Sequence, residues 1–257
     1  MEKVQLQVQE HIAVVTFNSP PANALSTNLL KELSTTLDTI EKDKKIKAVV
    51  FQGEGKFFSA GADIKEFTSL QNGDDYAALA QGGQKLFDRI EKFHIPVIAS
   101  IHGAALGGGL ELAMSCHIRI VTKTAKLGLP ELTLGIIPGF AGTQRLPRYV
   151  GQAKAYEMIL TGTPISGEEA VRYRLANYAV EEEELSSFTM KLASNIVDKS
   201  GPSIQAVMEL IPFTHTTQFQ VGVEEEAKKF GSIFGTEDAK EGITAFVEKR
   251  KPNFKDK

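Results

Sequence analysis

Four short apolar runs recur in the first half of the chain, and segments of different character separate them. The runs cover 12–17, 48–51, 96–101 and 118–121, and none contains more than one polar residue. A mainly apolar run of this length is typical of a buried strand. After the first run, Ser26 is a favourable N-cap, and leucines follow it at helical spacing. This alternation of strand, loop and helix predicts an α/β architecture.

The second half of the chain has a different pattern. The first half contains a predicted helix over about 76–93 between its strands, whereas helical patterns dominate after 143. The last third contains no strand pattern of comparable quality, and its final helix is predicted to begin near Thr236 and to end before Pro252. A length of 257 residues suits one large domain, or a domain with an appendage, better than two full domains. We therefore expect a core over 1–195 and a helical region over 196–257.

Composition excludes several classes of function. The 29 basic and 32 acidic residues give a net charge of −3, so no global charge favours nucleic acid or an anionic membrane. Cys116 is the single cysteine, and the five histidines include no helical pair, so we expect no metal site. The chain contains no apolar run long enough to span a membrane and no signal or transit pattern, so a cytoplasmic location is expected.

Glycines cluster at two turns, around Gly61 and over 103–109. Such turns leave backbone N–H groups unpaired at a helix N-terminus. The last glycine of the dinucleotide fingerprint is missing, and no phosphate-binding Gly-x-x-x-x-Gly-Lys-Ser/Thr loop occurs. Two interpretations remain. The turns form an oxyanion site, or they are tight turns that need small residues.

Two carboxylates adjoin these glycine-rich turns. Glu111 lies just inside an otherwise apolar helix, and Glu131 follows Pro130. A buried carboxylate is costly unless it is paired or used, so the two suggest acid–base chemistry. Alternatively, the helix dipole stabilises Glu111, and Glu131 is a surface acid of a loop. Their spacing does not show whether they meet.

Two further patterns have simpler explanations. The basic tail around Lys249 is typical of a solvated chain end, although it would also suit a phosphate contact. No Gly-x-Ser-x-Gly elbow occurs, and the neighbours Ser100 and His102 have no evident third partner, which disfavours a serine hydrolase.

Several motifs together resemble the crotonase family of enoyl-CoA hydratases and isomerases. The resemblance runs essentially from end to end. Its motifs are SAGADIK at 59–65, ALGGGLELA at 105–113, PELTLGIIPG at 130–139, GTQRL at 142–146 and AFVEKR at 245–250. Within the family, the presence of both Glu111 and Glu131 resembles the hydratases, because the isomerases usually keep one such acid.

The resemblance implies a fold and an assembly. The fold is a spiral of repeated ββα units with a helical C-terminal region that mediates trimerisation. The implied assembly is a homo-oligomer, either a trimer or a hexamer built as a dimer of trimers.

The resemblance also implies a mechanism. Water adds in a syn manner to a trans-2-enoyl thioester of coenzyme A and gives a 3-hydroxyacyl-CoA. The N–H groups of Ala62 and Gly108 hold the thioester oxygen as it gains charge. Glu111 orients and activates the water, Glu131 delivers the proton to Cα, and the backbone of Gly139 helps to position the water. No cofactor is expected, since coenzyme A is part of the substrate.

Recognition of coenzyme A is expected mainly from the loop before the oxyanion site. By family analogy, the backbone of Ala60, Ala62 and Ile64 surrounds the adenine, with Asp63 in the same loop. The lysines expected to meet phosphates are Lys56, Lys65 and, from its own or a neighbouring subunit, Lys249.

The chain departs from the family pattern at two positions. His117 replaces a common aspartate, which predicts an altered structural hydrogen bond. Phe140 is bulkier than the usual alanine, so we expect it to narrow the acyl side of the pocket.

Other functions remain possible on sequence grounds. Within the family these are double-bond isomerisation and hydration of a branched enoyl-CoA such as methylglutaconyl-CoA. A non-catalytic protein that binds acyl-CoA or RNA is disfavoured because both acids are present, the net charge is negative and tryptophan is absent.

Overall fold

Both faces of the central strands are covered by apolar side chains, which explains the mainly apolar runs of the sequence. In β2 (Ile12–Phe17), the odd-numbered residues Ala13, Val15 and Phe17 belong to one buried cluster. The even-numbered Ile12 and Val14 belong to a second cluster on the other face. Burial on both faces is the usual situation of parallel strands, and it removes the polar alternation seen in half-exposed strands.

The computed structural model describes residues 2–67, 73–214 and 218–257, without the side chains of 65, 67, 73–76, 219, 220 and 234. The strands of these residues are β1 (Val4–Gln9), β2, β3 (Ala48–Gly53), β4 (Val97–Ile101), β5 (Ala104–Leu106), β6 (Ile118–Thr122), β7 (Lys126–Gly128), β8 (Ile165–Ser166) and β9 (Tyr178–Val180). One sheet has the order β1-β2-β3-β4-β6-β9 and is parallel except for the β1–β2 pair. A smaller sheet has the order β5-β7-β8.

The described residues form ten helices. In chain order they are α1 (Thr27–Lys42), α2 (Ile64–Phe67), α3 (Gly73–Glu91), α4 (Gly108–Ser115), α5 (Gly142–Thr161), α6 (Gly167–Arg172), α7 (Leu185–Val197), α8 (Gly201–Leu210), α9 (Phe219–Phe234) and α10 (Glu237–Val247), with 3-10 turns at Glu131–Leu134, Glu182–Glu184 and Ile211–Phe213. The predicted N-cap is confirmed, because the Ser26 hydroxyl accepts a hydrogen bond from the Leu29 N–H at 3.3 Å. Among the helices of the described ranges, none has the length and apolar character needed to cross a membrane.

The predicted α/β architecture is confirmed, and the order strand, strand, helix recurs, as in β1-β2-α1 and β4-β5-α4. The expectation for the last third needs a correction, because β9 lies there and extends the main sheet beside β6. Three residues are too few to show a strand pattern in the sequence. The expected boundary between 195 and 196 falls inside α7, which packs on the sheet through Ala193 and Val197. This division stays a prediction.

His117 links the beginning of β4 to the end of α3. Its Nδ1 accepts a hydrogen bond from the Val97 N–H at 2.9 Å, and its Nε2 lies 3.3 Å from the Glu91 carbonyl oxygen, to which it donates. His117 therefore makes structural hydrogen bonds at this position. Burial lowers the pKa of His117 from 6.5 to about 4, so the neutral ring is the folded form.

This low pKa predicts how the stability of the fold depends on pH. The unfolded chain binds a proton at His117 near pH 6.5, whereas the folded chain binds it only near pH 4. The contribution of neutral His117 to the free energy of unfolding is therefore complete above pH 6.5. It is lost as the pH falls from 6.5 to 4, by up to about 3 kcal/mol. Urea unfolding of the wild type and of His117→Asn at several pH values measures it. An equal pH dependence in both proteins would contradict the assignment.

Candidate active site

Two backbone N–H groups from different segments, those of Ala62 and Gly108, lie close together. A Cβ placed on Gly108 would lie 3.2 Å from the Ala62 nitrogen, and one placed on Gly61 would lie 3.3 Å from the Gly108 nitrogen. Within the described residues, neither the Ala62 N–H nor the Gly108 N–H donates a hydrogen bond to the protein. The Gly108 group also lies at the first residue of α4, where the helix dipole favours negative charge. The pair can therefore hold an oxygen that gains negative charge.

Strand-like hydrogen bonds fix the loop that carries Ala62. The Leu106 N–H donates to the Ser59 carbonyl at 3.0 Å, and the Leu25 N–H donates to the Gly61 carbonyl at 2.8 Å. Gly61 has a φ of +106°, and a Cβ there would lie 2.9 Å from the Leu106 oxygen, so this turn requires glycine. The tight packing and the unpaired N–H groups therefore occur together, and neither interpretation of the glycines excludes the other.

Glu111 is buried in α4, with 1% of its surface exposed. Its Oε1 atom accepts hydrogen bonds from the N–H groups of Phe140 at 2.8 Å and Gly142 at 2.7 Å. Phe140 lies in the loop that leads into α5, and Gly142 is the first residue of α5. Gly142 has to be small, because a Cβ there would lie 2.8 Å from the Glu111 Oε1 atom.

Glu131 is the first residue of the 3-10 turn Glu131–Leu134 and is also buried. A Cβ on Gly107 would lie 3.0 Å from its Oε1 atom, which places this carboxyl beside the glycine turn. Its Oε2 atom is buried without a hydrogen-bond partner among the described residues. Such an atom points to a ligand or a water in the site, because buried polar groups are nearly always paired.

The two carboxyls influence each other. Burial raises the pKa of Glu111 to about 7, the nearby charge of Glu131 adds to this effect, and the two backbone donors oppose it. Burial also raises the pKa of Glu131. The sequence identified both acids, and the structure shows that they share one site. A carboxyl with a pKa near 7 suits a general base at neutral pH.

Two residues that the sequence analysis missed hold the loop over Glu111. The Gln84 side-chain amide, on α3, donates to the Gly139 carbonyl at 2.9 Å. The buried Arg145 guanidinium donates to the Phe140 carbonyl at 2.9 Å and pairs with Asp88 at 2.6 Å. Arg145 belongs to a motif that marked the family resemblance, whereas Gln84 belongs to no motif.

The Phe140 ring lies between α3 and α4. It packs edge-on against Phe87 with ring centres 5.3 Å apart, and two of its atoms lie 3.2 Å from the position of a Cβ on Gly108. A Cβ on Gly83 would lie 2.3 Å from the ring, so α3 approaches closely only because Gly83 is there. The Phe140 ring therefore has a fixed position beside Gly108, whose N–H group belongs to the pair described above.

The residues predicted to bind coenzyme A occupy the loop after β3. Lys56, Ala60 and Ile64 are exposed, and Asp63 is half-buried. The side chain of Lys65 lies outside the described part of the structure. These positions leave the loop accessible to a ligand, and their assignment stays a prediction.

Lys249 lies in a tail that is anchored elsewhere on the same chain. Lys251 pairs with Asp198 at 2.8 Å, and Asp256 pairs with Lys47 at 2.9 Å. Lys47 precedes β3, whereas the predicted binding loop follows it, at the other end of a strand roughly 20 Å long. Within the described residues, no hydrogen bond or ion pair joins Lys249 to that loop.

Comparisons of sequence and structure with known proteins all find enoyl-CoA hydratases among the similar proteins. A family model described as "Enoyl-CoA hydratase/isomerase" matches residues 7–257. A "Probable enoyl-CoA hydratase" of Bacillus subtilis is 54% identical over 256 residues, which covers 99% of both chains. A "Short-chain-enoyl-CoA hydratase" of Clostridium acetobutylicum is 41% identical and covers 98% of this chain and 97% of its own. The solved structure of an enoyl-CoA hydratase from Bacillus anthracis has a TM-score of 0.94 at 34% identity and covers 99% of this chain and 100% of its own.

The electrostatic coupling in this site predicts the effect of removing one acid. Replacement of Glu131 by glutamine removes a negative charge near Glu111, so the pKa of Glu111 should fall below its value of about 7. Infrared titration of the buried carboxyl band measures this pKa, and a Glu111→Gln variant identifies the band. The exposed Glu183→Gln change should leave the pKa unaltered. An unchanged or higher pKa in Glu131→Gln would show that the two carboxyls do not interact.

Proposed function

The chain belongs to the enoyl-CoA hydratase/isomerase family, and we propose that it hydrates trans-2-enoyl-CoA thioesters to 3-hydroxyacyl-CoA. One observation carries this proposal: two buried glutamates share a site with a pair of unpartnered N–H groups. The names of the relatives from Bacillus subtilis and Clostridium acetobutylicum support the same activity.

The N–H groups of Ala62 and Gly108 bind the thioester oxygen. As water attacks Cβ, the electrons of the double bond move toward the carbonyl, and this oxygen takes on the charge of an enolate. Donors that are fixed in advance stabilise that charge without reorganisation, and each is typically worth about 10²–10³ in rate.

The two glutamates exchange protons with the water and the substrate. Glu111 takes a proton from the water as the water oxygen bonds to Cβ, and Glu131 gives its proton to Cα. One molecule of water is added, and the pair ends with its proton on Glu111. Return of this proton to Glu131 restores the site. The Gly139–Phe140 backbone lies next to Glu111 and helps to position the water.

The remaining assignments rest on the family and the exposed surface. The loop Ala60–Ile64 with Lys56 and Lys65 binds coenzyme A, and Lys249 reaches the 3′-phosphate from a neighbouring subunit. Addition of water changes no oxidation state overall, so the reaction requires no redox cofactor.

Exposed apolar side chains on the C-terminal helices support self-association. Phe246 is 84% exposed in the single chain, and Val247 and Phe230 are also largely exposed. An apolar surface of this kind is typical of an interface. The proposed assembly is a trimer or a dimer of trimers, and the proposed location is the cytoplasm.

The decisive experiment follows the loss of the conjugated thioester absorbance of crotonyl-CoA. The wild type should remove it rapidly. Glu111→Gln and Glu131→Gln should each lower kcat by at least about 10²-fold, because each variant lacks one proton-transfer group. The matched control Glu183→Gln replaces an exposed glutamate and should retain wild-type turnover.

Other outcomes separate the alternative functions. Conversion of a 3-enoyl-CoA to its conjugated isomer without hydration would identify an isomerase. Turnover restricted to methylglutaconyl-CoA would identify a branched-chain hydratase. Tight binding of acyl-CoA with no turnover of any of these thioesters would reject an enzymatic role.

The position of the Phe140 ring predicts a preference for short acyl chains. Phe140→Ala should raise kcat/KM for 2-octenoyl-CoA relative to crotonyl-CoA by about tenfold or more, because it opens space for further methylene groups. Gly83→Ala should lower kcat/KM, since its Cβ would force the ring out of place. Gly82→Ala is the matched control, because a Cβ there meets nothing within 4 Å. A preference unaffected by Phe140→Ala would show that this ring does not limit chain length.

A further inference from the structure

We propose that Gln84 is a positioning residue for hydration: its side-chain amide fixes the peptide between Gly139 and Phe140 so that the N–H of this peptide points at Glu111. This inference rests on the proposed function, since it gives Gln84 a part in preparing the base for attack by water.

The geometry forms a continuous line of hydrogen bonds. The Gln84 Nε2 group donates to the Gly139 oxygen at 2.9 Å, and the Phe140 N–H donates to the Glu111 Oε1 atom at 2.8 Å. That C=O and that N–H belong to one planar trans peptide, in which they point in opposite directions. A rotation of this peptide therefore breaks both hydrogen bonds together.

The loop needs such an external support. Ala141 has a φ of +70°, which a residue with a side chain adopts only when the surrounding structure imposes it. Gln84 binds the carbonyl of Gly139, and Arg145 binds the next carbonyl, that of Phe140. Because Gln84 holds the Gly139 carbonyl, the Phe140 N–H of the same peptide points the opposite way and can reach Glu111.

The groups around Glu111 determine how the loss of Gln84 should change the pKa of Glu111. Glu131 raises the pKa of Glu111 and Arg145 lowers it, while Asp88 and Glu91 on α3 pair with Arg145. The backbone donors also lower this pKa. If the peptide of Phe140 turns away, Glu111 loses one donor and becomes harder to ionise.

The test compares the same substitution at two glutamines of one helix. Gln84→Met preserves the shape of the side chain but cannot donate a hydrogen bond. Gln81→Met is the matched control, because Gln81 lies on α3 and is exposed. In Gln84→Met, the acid limb of the kcat profile for crotonyl-CoA should move to higher pH by about half a unit or more. The value of kcat at pH 7 should fall several-fold, while KM should change by less than about twofold.

A second readout is independent of turnover. Infrared titration should show a higher pKa of Glu111 in Gln84→Met and an unchanged pKa in Gln81→Met. Gln84→Glu, which retains the length of the side chain but lacks the donor when ionised, should act in the same direction if Gln84→Met does not fold. An unaltered pKa and acid limb in folded position-84 variants would overturn the inference. A wild type that hydrates no enoyl-CoA would overturn the proposed function, and the infrared shift would still decide whether Gln84 positions the peptide.

Discussion

Accommodation of a carboxyl group inside an apolar helix governs the arrangement of the site. Every residue of α4 is buried, and Glu111 is among them. A buried carboxylate costs several kcal/mol unless hydrogen bonds replace its water. Its donors come from Phe140 and Gly142, about 30 residues later in the chain, so the loop before α5 has to close over α4. The position of this loop, the need for glycine at 142 and the support from Gln84 and Arg145 all follow from that requirement.

The scaffold brings together chemistry that the chain supplies in separate pieces. The loop after β3 provides Ala62, the first residue of α4 is Gly108, and the turn after β7 provides Glu131. β5 and β7 are parallel neighbours in the smaller sheet, so the residues that follow them lie at one edge of it, whereas β3 belongs to the main sheet. Short backbone hydrogen bonds between the loop after β3 and β5 then set the separation of the two N–H groups.

The sequence was most informative where a residue's neighbours in the chain determine its structure. Strands buried on both faces leave apolar runs, so β2, β3, β4 and β6 could be predicted, whereas β8 and β9 are too short to show a pattern. Glu111 and Glu131 could be identified as unusual, but their meeting depends on how α4 packs. Gln84 could not be identified, because its partner lies 55 positions away and a glutamine in a helix has no distinctive pattern.

The hydrogen bonds around the two acids support the proposed division of labour. Glu111 receives two backbone donors, and such donors favour the ionised form that accepts a proton from water. Glu131 has a buried Oε2 atom without a donor among the described residues, an environment that favours the protonated form. Burial raises both pKa values, and the charge of Glu131 raises that of Glu111 further, so the two carboxyls titrate as a coupled pair. The proposed mechanism starts from the state of this pair in which the proton lies on Glu131, and the donors of Phe140 and Gly142 stabilise that state because they favour the ionised form of Glu111.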